Sequence, residues 1–311
     1  MKRLLMLILA AALMVSLLSG CGALPAEEKG ELKIVTTIFP IYDWTKNLLG
    51  DRADEVSLTM LLDDGVDMHS FQPAVSDMVS VSSCDLLIYV GGESDAWVAD
   101  ALKERANPDM IALNLMDALG ERALQEELVE GMQGEAEDAA DEHIWLSLRN
   151  AEILCAAIRD ALIELDGEHS RSYEAAFAAY DAKLQQLDAE YASSLDAAAL
   201  HTLIVADRFP FRYLVEDYGL DYYAAFSGCE AETEASFATV IFLAEKADEL
   251  GAGSLCVIET SDGKLARTVN ENTKNRDLNI LTLHSMQGTV GDRDYLSLME
   301  ENLNVLKEAL N

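Results

Sequence analysis

The sequence predicts an α/β fold of two lobes, each with a roughly four-stranded parallel sheet flanked by helices, joined by one long connecting helix. Three observations carry this expectation. Short β-branched runs alternate with amphipathic stretches at a spacing suited to crossover helices, as in parallel sheets covered on both faces. The same order of elements restarts near residue 203, with no residue-level repeat. Between the halves, residues 170–196 form one polar–apolar periodic run, on the order of 40 Å long as a helix. About 290 residues follow Cys21, more than one core usually serves, and half the residues are apolar. The expected boundaries are an N-terminal lobe over 31–165, the connecting helix over 166–197 and a C-terminal lobe over 198–311.

Ahead of the lobes, Lys2 and Arg3 precede an unbroken apolar run from Leu4 to Val15. This has the order and size of a secretory signal over residues 1–20 and is short for a membrane span. Leu18-Ser19-Gly20-Cys21 resembles a bacterial lipobox, which would lipidate Cys21 and leave residues 21–30 as a tether. The expected location is therefore the cell membrane, on its extracytoplasmic face, held by acyl chains.

In the first lobe, residues 32–37 are short and β-branched, and Phe39-Pro40 closes them before a helix over 42–49. A second strand over 56–62 feeds the loop Asp67-Met68-His69-Ser70-Phe71-Gln72-Pro73. Helix 74–82, strand 86–90 closed by Gly91-Gly92, helix 97–105 and strand 110–115 follow. Residues 121–142 are rich in acids with Arg122 as the one base, and read as a solvated mobile loop that could concentrate cations. Helix 148–165 ends at Asp166-Gly167, and the connecting helix follows. The second lobe reads as strand 203–205 ending at Asp207-Arg208, helix 213–218, strand 221–226 and helix 234–250. It continues with strand 254–258 ending at Glu259, helix 264–273, strand 279–283 ending at His284 and a closing helix over 294–310.

Net charge is −34, which argues against nucleic acid or an anionic surface as partner and favours a cation. Cys84, Cys155, Cys229 and Cys256 are widely spaced, without a CxxC pair, and form neither a metal motif nor a disulfide framework. Cys84, Cys155 and Cys256 read as small buried residues; Cys229, beside Gly228, stands apart.

Ligands of open parallel sheets bind outside the carboxyl ends of the strands. His69, Asp207, Arg208, Glu259 and His284 fall there, and His143 opens a helix after its loop. His169 and His201 lie elsewhere and read as structural or surface residues. Neutral imidazoles with a carboxylate suit zinc, and manganese or iron where more oxygens join. No HExxH-type motif is present, so a zinc hydrolase is the weaker alternative. An adhesion lipoprotein is the third.

Against this background, His69-Ser70-Phe71-Gln72-Pro73 and Asp141-Glu142-His143-Ile144-Trp145-Leu146 resemble the first two ligand loops of the metal-binding subunits of bacterial ABC importers for zinc and manganese. The resemblance runs from Ile34-Val35-Thr36-Thr37-Ile38-Phe39-Pro40 to the C-terminus. Glu232-Thr233-Glu234-Ala235-Ser236 is similar to the family's Glu-Pro-Ser helix start. Phe211, Tyr213 and Tyr218-Gly219-Leu220 fix a register in which Arg208 occupies a histidine slot. Arginine stays protonated and cannot ligate a cation. Thr282-Leu283-His284-Ser285-Met286 resembles the segment of the fourth ligand, with His284 in its place. The resemblance thus implies a centre of His69, His143 and His284 with Glu259, or Asp207, as carboxylate, whichever is not paired with Arg208. It further implies a non-enzymatic, monomeric solute-binding subunit that carries Zn²⁺, or Mn²⁺ as the alternative, to a membrane permease.

Overall fold

The computed structural model describes residues 31–62, 66–134, 139–229, 234–287 and 293–311. The expected signal, Cys21 and the tether lie outside the described residues. Among those described, no helix is long and apolar enough to cross a membrane.

Two four-stranded parallel sheets form, as the alternation of elements predicts. The first runs in the order β2-β1-β3-β4, from strands β1 (Leu32–Thr36), β2 (Val56–Met60), β3 (Leu86–Tyr89) and β4 (Ile111–Asn114). The second repeats that topology as β6-β5-β7-β8, from β5 (Thr202–Phe209), β6 (Asp221–Ser227), β7 (Ser254–Ile258) and β8 (Asn279–Leu283). In both, the chain leaves the first strand to one side and returns on the other, so each sheet has a switch point where a crevice opens at the carboxyl ends. The pairing Ile34 with Leu86, Val35 with Leu87 and Thr36 with Ile88 stacks buried rows across the first sheet.

Helix α1 (Phe39–Leu49) begins with Pro40 in its first turn, where the missing N–H costs nothing, and buries Ile41, Trp44, Leu48 and Leu49. A single-turn helix over Met68–Ser70 follows β2, and α2 (Val75–Ser83) and α3 (Val98–Lys103) flank the sheet. After β4 comes α4 (Leu115–Leu119), where the sequence suggests only the strand's end. The Asn114 side chain accepts a hydrogen bond from the Asp117 amide and starts this helix directly from the strand. Helix α5 (Leu148–Leu165) starts at the Ser147 cap, and α6 (Ser170–Asp196) is the long helix, with the limits the periodicity predicts. The second sheet is flanked by α7 (Arg212–Tyr218), α8 (Phe237–Leu250), α9 (Lys264–Asn272) and α10 (Tyr295–Ala309).

The long helix is tied to what surrounds it. Tyr191 on α6 donates to the Met299 carbonyl of α10 at 2.5 Å. Tyr295 of α10 meets Trp44 edge-on at 5.1 Å, donates to the Trp145 carbonyl at 2.7 Å, and its amide donates to Asp43 at 3.2 Å. The closing helix therefore links α1, the segment before α5 and α6 through buried aromatic residues.

The acidic stretch departs from the expected mobile loop. The Glu126 amide donates to Ala139 and the Asp141 amide to Leu124, forming a narrow antiparallel ribbon. Its outer part docks on the second sheet, where the Gln133 amide donates to Ala225 at 2.8 Å. Gly131 lies flat against the Phe242 ring, at a positive φ and with no room for a Cβ. Residues 135–138, at the heart of the stretch, lie outside the described residues. Helix α8 also starts later than expected, because Ser236 accepts from the Thr239 amide and sets the first turn there.

Candidate metal centre

The two histidines of the first lobe meet. His69 Nε2 and His143 Nε2 are 3.2 Å apart. Two nitrogens on one tetrahedral zinc ion lie about 3.3 Å apart when each bond is about 2.0–2.1 Å. The pair is thus already at the separation of adjacent ligands on one ion.

Each ring is held by its other nitrogen. His69 lies in the single-turn helix capped by Asp67, whose carboxylate accepts from the His69 amide at 3.0 Å, and its Nδ1 lies 2.9 Å from Ser94 Oγ. Ser94 is fixed in turn by its amide, which donates to Glu142 at 2.8 Å. Gly92, at φ +79, leaves the space that this carboxylate fills; a Cβ there would come within 2.5 Å of Glu142 Oε1. His143 is fully buried between Trp145 and His69. Asp141 accepts from the His143 amide at 2.8 Å and lies 3.0 Å from its Nδ1. A carboxylate on Nδ1 selects the tautomer with its lone pair on Nε2 and raises the ring's donor strength.

Burial, and then the neighbouring His143 imidazole, push the His69 ring down to about 3. It is a neutral donor near neutrality, as metal ligation requires.

Arg208 sits at the end of β5, just past a register shift between Val205 and Arg208 that re-aims the strand. Its guanidinium donates to Asp67 Oδ2 at 2.6 Å, an ion pair from β5 to the His69 loop. The expected partner was Glu259 or Asp207; it is Asp67. Burial pushes the Asp67 carboxyl up, but the Arg208 charge and hydrogen bond outweigh it and hold the group below its ordinary range.

His284, Glu259 and Asp207 are otherwise engaged. His284 Nε2 pairs with Glu301 on α10 at 3.1 Å, and its amide donates to Asn302. Glu259 accepts from the Ser285 amide, the Ser285 hydroxyl and the Met286 amide, and so fastens the turn after β8. Asp207 accepts from the Arg208 amide at 2.8 Å, and burial raises its carboxyl. The structure does not bring these three to the imidazole pair.

The turn that Glu259 holds brings a different residue in. Met286 adopts φ +57, a costly conformation for a long side chain, and the next residue, Gln287, is buried with its amide 3.1 Å from His143 Nε2. Cys229 also arrives: among the described residues, the donor atoms of His69, His143 and Cys229 lie within 4.8 Å of one another. Gln287 leaves no mark in the sequence, because a neutral amide carries no ligand signature, and Cys229, which stands apart there, lacks the second cysteine of a metal motif. Its adjacency to Gly228 is the one available signal. His169 packs against Arg52 and Asp166, and His201 is exposed, as expected of structural and surface residues.

The model of the family described as zinc-uptake complex component A, periplasmic (ZnuA), matches residues 34–309. The chain belongs to the ZnuA family. The zinc-binding lipoprotein AdcA of Streptococcus pneumoniae is 30% identical over 289 residues, covering 90% of this chain and 56% of that protein. The chain thus spans about half the length of the AdcA relatives it matches. The high-affinity zinc uptake system protein ZnuA of Bacillus subtilis is 27% identical over 298 residues, with 92% and 90% covered. The crystal structure of the Zn(II)-bound ZnuA-like domain of S. pneumoniae AdcA superposes with a TM-score of 0.72 at 27% identity, covering 90% of this chain and 99% of that domain. The ZnuA-family chain thus shares its two-sheet architecture with a metal-binding domain.

Proposed function

We propose that this ZnuA-family protein is the extracytoplasmic solute-binding subunit of a metal ABC importer, capturing Zn²⁺ on the His69–His143 pair and handing it to a membrane permease. The observation that carries this is the 3.2 Å separation of two Nε2 atoms whose rings are oriented from behind by Asp141 and Ser94. One imidazole can donate to the other across this gap, but only a divalent cation engages both Nε2 lone pairs at once. The role is capture and hand-over by a monomer, with no catalytic step. Lipidation of Cys21 would keep it beside its permease, and the lobe boundaries at 165–166 and 197–198 flank the helix that joins the two sheets.

The test is Zn²⁺ titration of purified protein, stripped of metal, against a competing chromophoric chelator. One equivalent should bind, and His69→Ala or His143→Ala should abolish it. Wild-type affinity in either variant would remove the pair from the site. Mn²⁺ should bind more weakly, since two imidazoles favour zinc over a cation that prefers oxygen.

A further inference from the structure

Beside the imidazole pair, the turn after β6 carries Gly228 and Cys229. We propose that Cys229 supplies a third donor, a thiolate, to the His69–His143 pair, making a two-histidine, one-cysteine centre that prefers thiophilic divalent cations to manganese. The inference rests on the capture reading above and specifies its ligand set and selectivity.

Three independent features point there. First, the thiol sulfur lies within 4.8 Å of both imidazole donor atoms. Zinc–sulfur bonds of about 2.3 Å and zinc–nitrogen bonds of about 2.0–2.1 Å require a separation near 3.5 Å, so a shift of at most about 1.3 Å completes the geometry. Second, Gly228 is flush against the His143 ring. A Cβ there would stand 2.8 Å from His143 Cε1 and 3.0 Å from the Phe209 carbonyl, and only glycine lets the turn come close enough to present the next residue. Third, a cavity of about 350 Å³ is lined by His69, Ser94, Glu126, Glu142 and Cys229, so the thiol and an imidazole face the same space. The other described cysteines, Cys84, Cys155 and Cys256, are buried in the cores of the lobes.

The strand-end candidates for a third donor are committed elsewhere: Arg208 is a cation paired with Asp67, Asp207 accepts from the Arg208 amide, Glu259 fastens a turn and His284 pairs with Glu301. In the capture step the S–H bond breaks and the metal–sulfur bond forms. Glu126 lines the same cavity as the thiol and takes the proton to solvent. The metal keeps its oxidation state.

Co²⁺ added to the reduced, metal-free protein reads out the ligand set directly, because thiolate ligation gives an intense near-ultraviolet charge-transfer band that imidazole and oxygen donors do not. Wild type should show the band and Cys229→Ser should lack it. Zn²⁺ affinity should fall on the order of a hundredfold in Cys229→Ser, at least the loss that outer-shell changes produce, while Mn²⁺ affinity stays level. Cys229→His should regain Zn²⁺ binding without the band, which separates lost ligation from misfolding. Absence of the band in wild type, or unchanged Zn²⁺ affinity in Cys229→Ser while His69→Ala abolishes binding, overturns the thiolate and leaves the capture reading standing. Unchanged affinity in His69→Ala overturns the capture reading itself.

Discussion

Truncating Asp67 to alanine should cost this protein about 3–5 kcal/mol, because it strands a buried guanidinium. The Arg208–Asp67 contact is 2.6 Å, with the Arg208 side chain 6% exposed and that of Asp67 25% exposed. At an effective dielectric near 20 the attraction is about 6 kcal/mol, most of it offset by desolvation of the two groups. Removing one partner leaves the other's desolvation uncompensated, typically about 3–5 kcal/mol. Loss of the Asp67 cap on the His69 turn adds about 1 kcal/mol, and water reaching the quarter-exposed carboxylate site returns some of that. Urea denaturation of the metal-free protein at pH 7 measures the change. The double variant Asp67→Ala/Arg208→Met should be more stable than Asp67→Ala alone, since a thioether needs no counter-ion. A coupling energy below about 0.5 kcal/mol in this cycle would place the pair with ordinary surface ion pairs and refute the reasoning.

Asp141→Asn should keep the fold but weaken Zn²⁺ binding by roughly ten- to a hundredfold, measured by chelator competition, because the charge behind the His143 ring is lost. The depressed His69 ring has a definite sign in stability: from about pH 6.5 down to about 3 the unfolded chain takes up a proton that the folded state refuses. Stability of the metal-free protein should therefore fall with pH across that window, and His69→Gln should flatten the slope in urea midpoints. Asp43 runs the other way. Burial, partly opposed by the Tyr295 amide, pushes its carboxyl up to about 6, so its neutral form is favoured in the fold and stability is lost as pH rises from about 4 through 6. Asp43→Asn should raise the melting temperature at pH 7.5 and leave it nearly unchanged at pH 4; equal effects at both would contradict the assignment.

Both sheets and the long helix were legible because parallel strands buried on two faces give short apolar runs, and because Asp166-Gly167 and Ser170 punctuate α6. The acidic stretch was not, since its order comes from backbone pairing between Leu124 and Asp141 and from Phe242 meeting Gly131, neither of which leaves a hydrophobic period. At the centre, His69 and His143 were readable from their loops. His284 and Glu259 were named because they end strands, yet position along a strand does not say which neighbour a side chain finds. Glu259 finds two amides and a hydroxyl in the adjoining turn, His284 finds Glu301, and the positive φ of Met286 brings in Gln287 instead. Asp67 escaped notice as the partner of Arg208 because the two are far apart in sequence and meet only once the lobes are folded.

The division of the donors between the lobes has a kinetic consequence. His69 and His143 both belong to the first half of the chain and stand 3.2 Å apart, so on the proposed capture role an arriving ion would meet a preformed chelate and its association should be limited by dehydration and diffusion. Cys229 and Gln287 come from the second half, and whatever they contribute is gained after the ion has landed. Substitutions in the first group should therefore slow arrival and hasten departure together. Those in the second should act almost wholly on residence time.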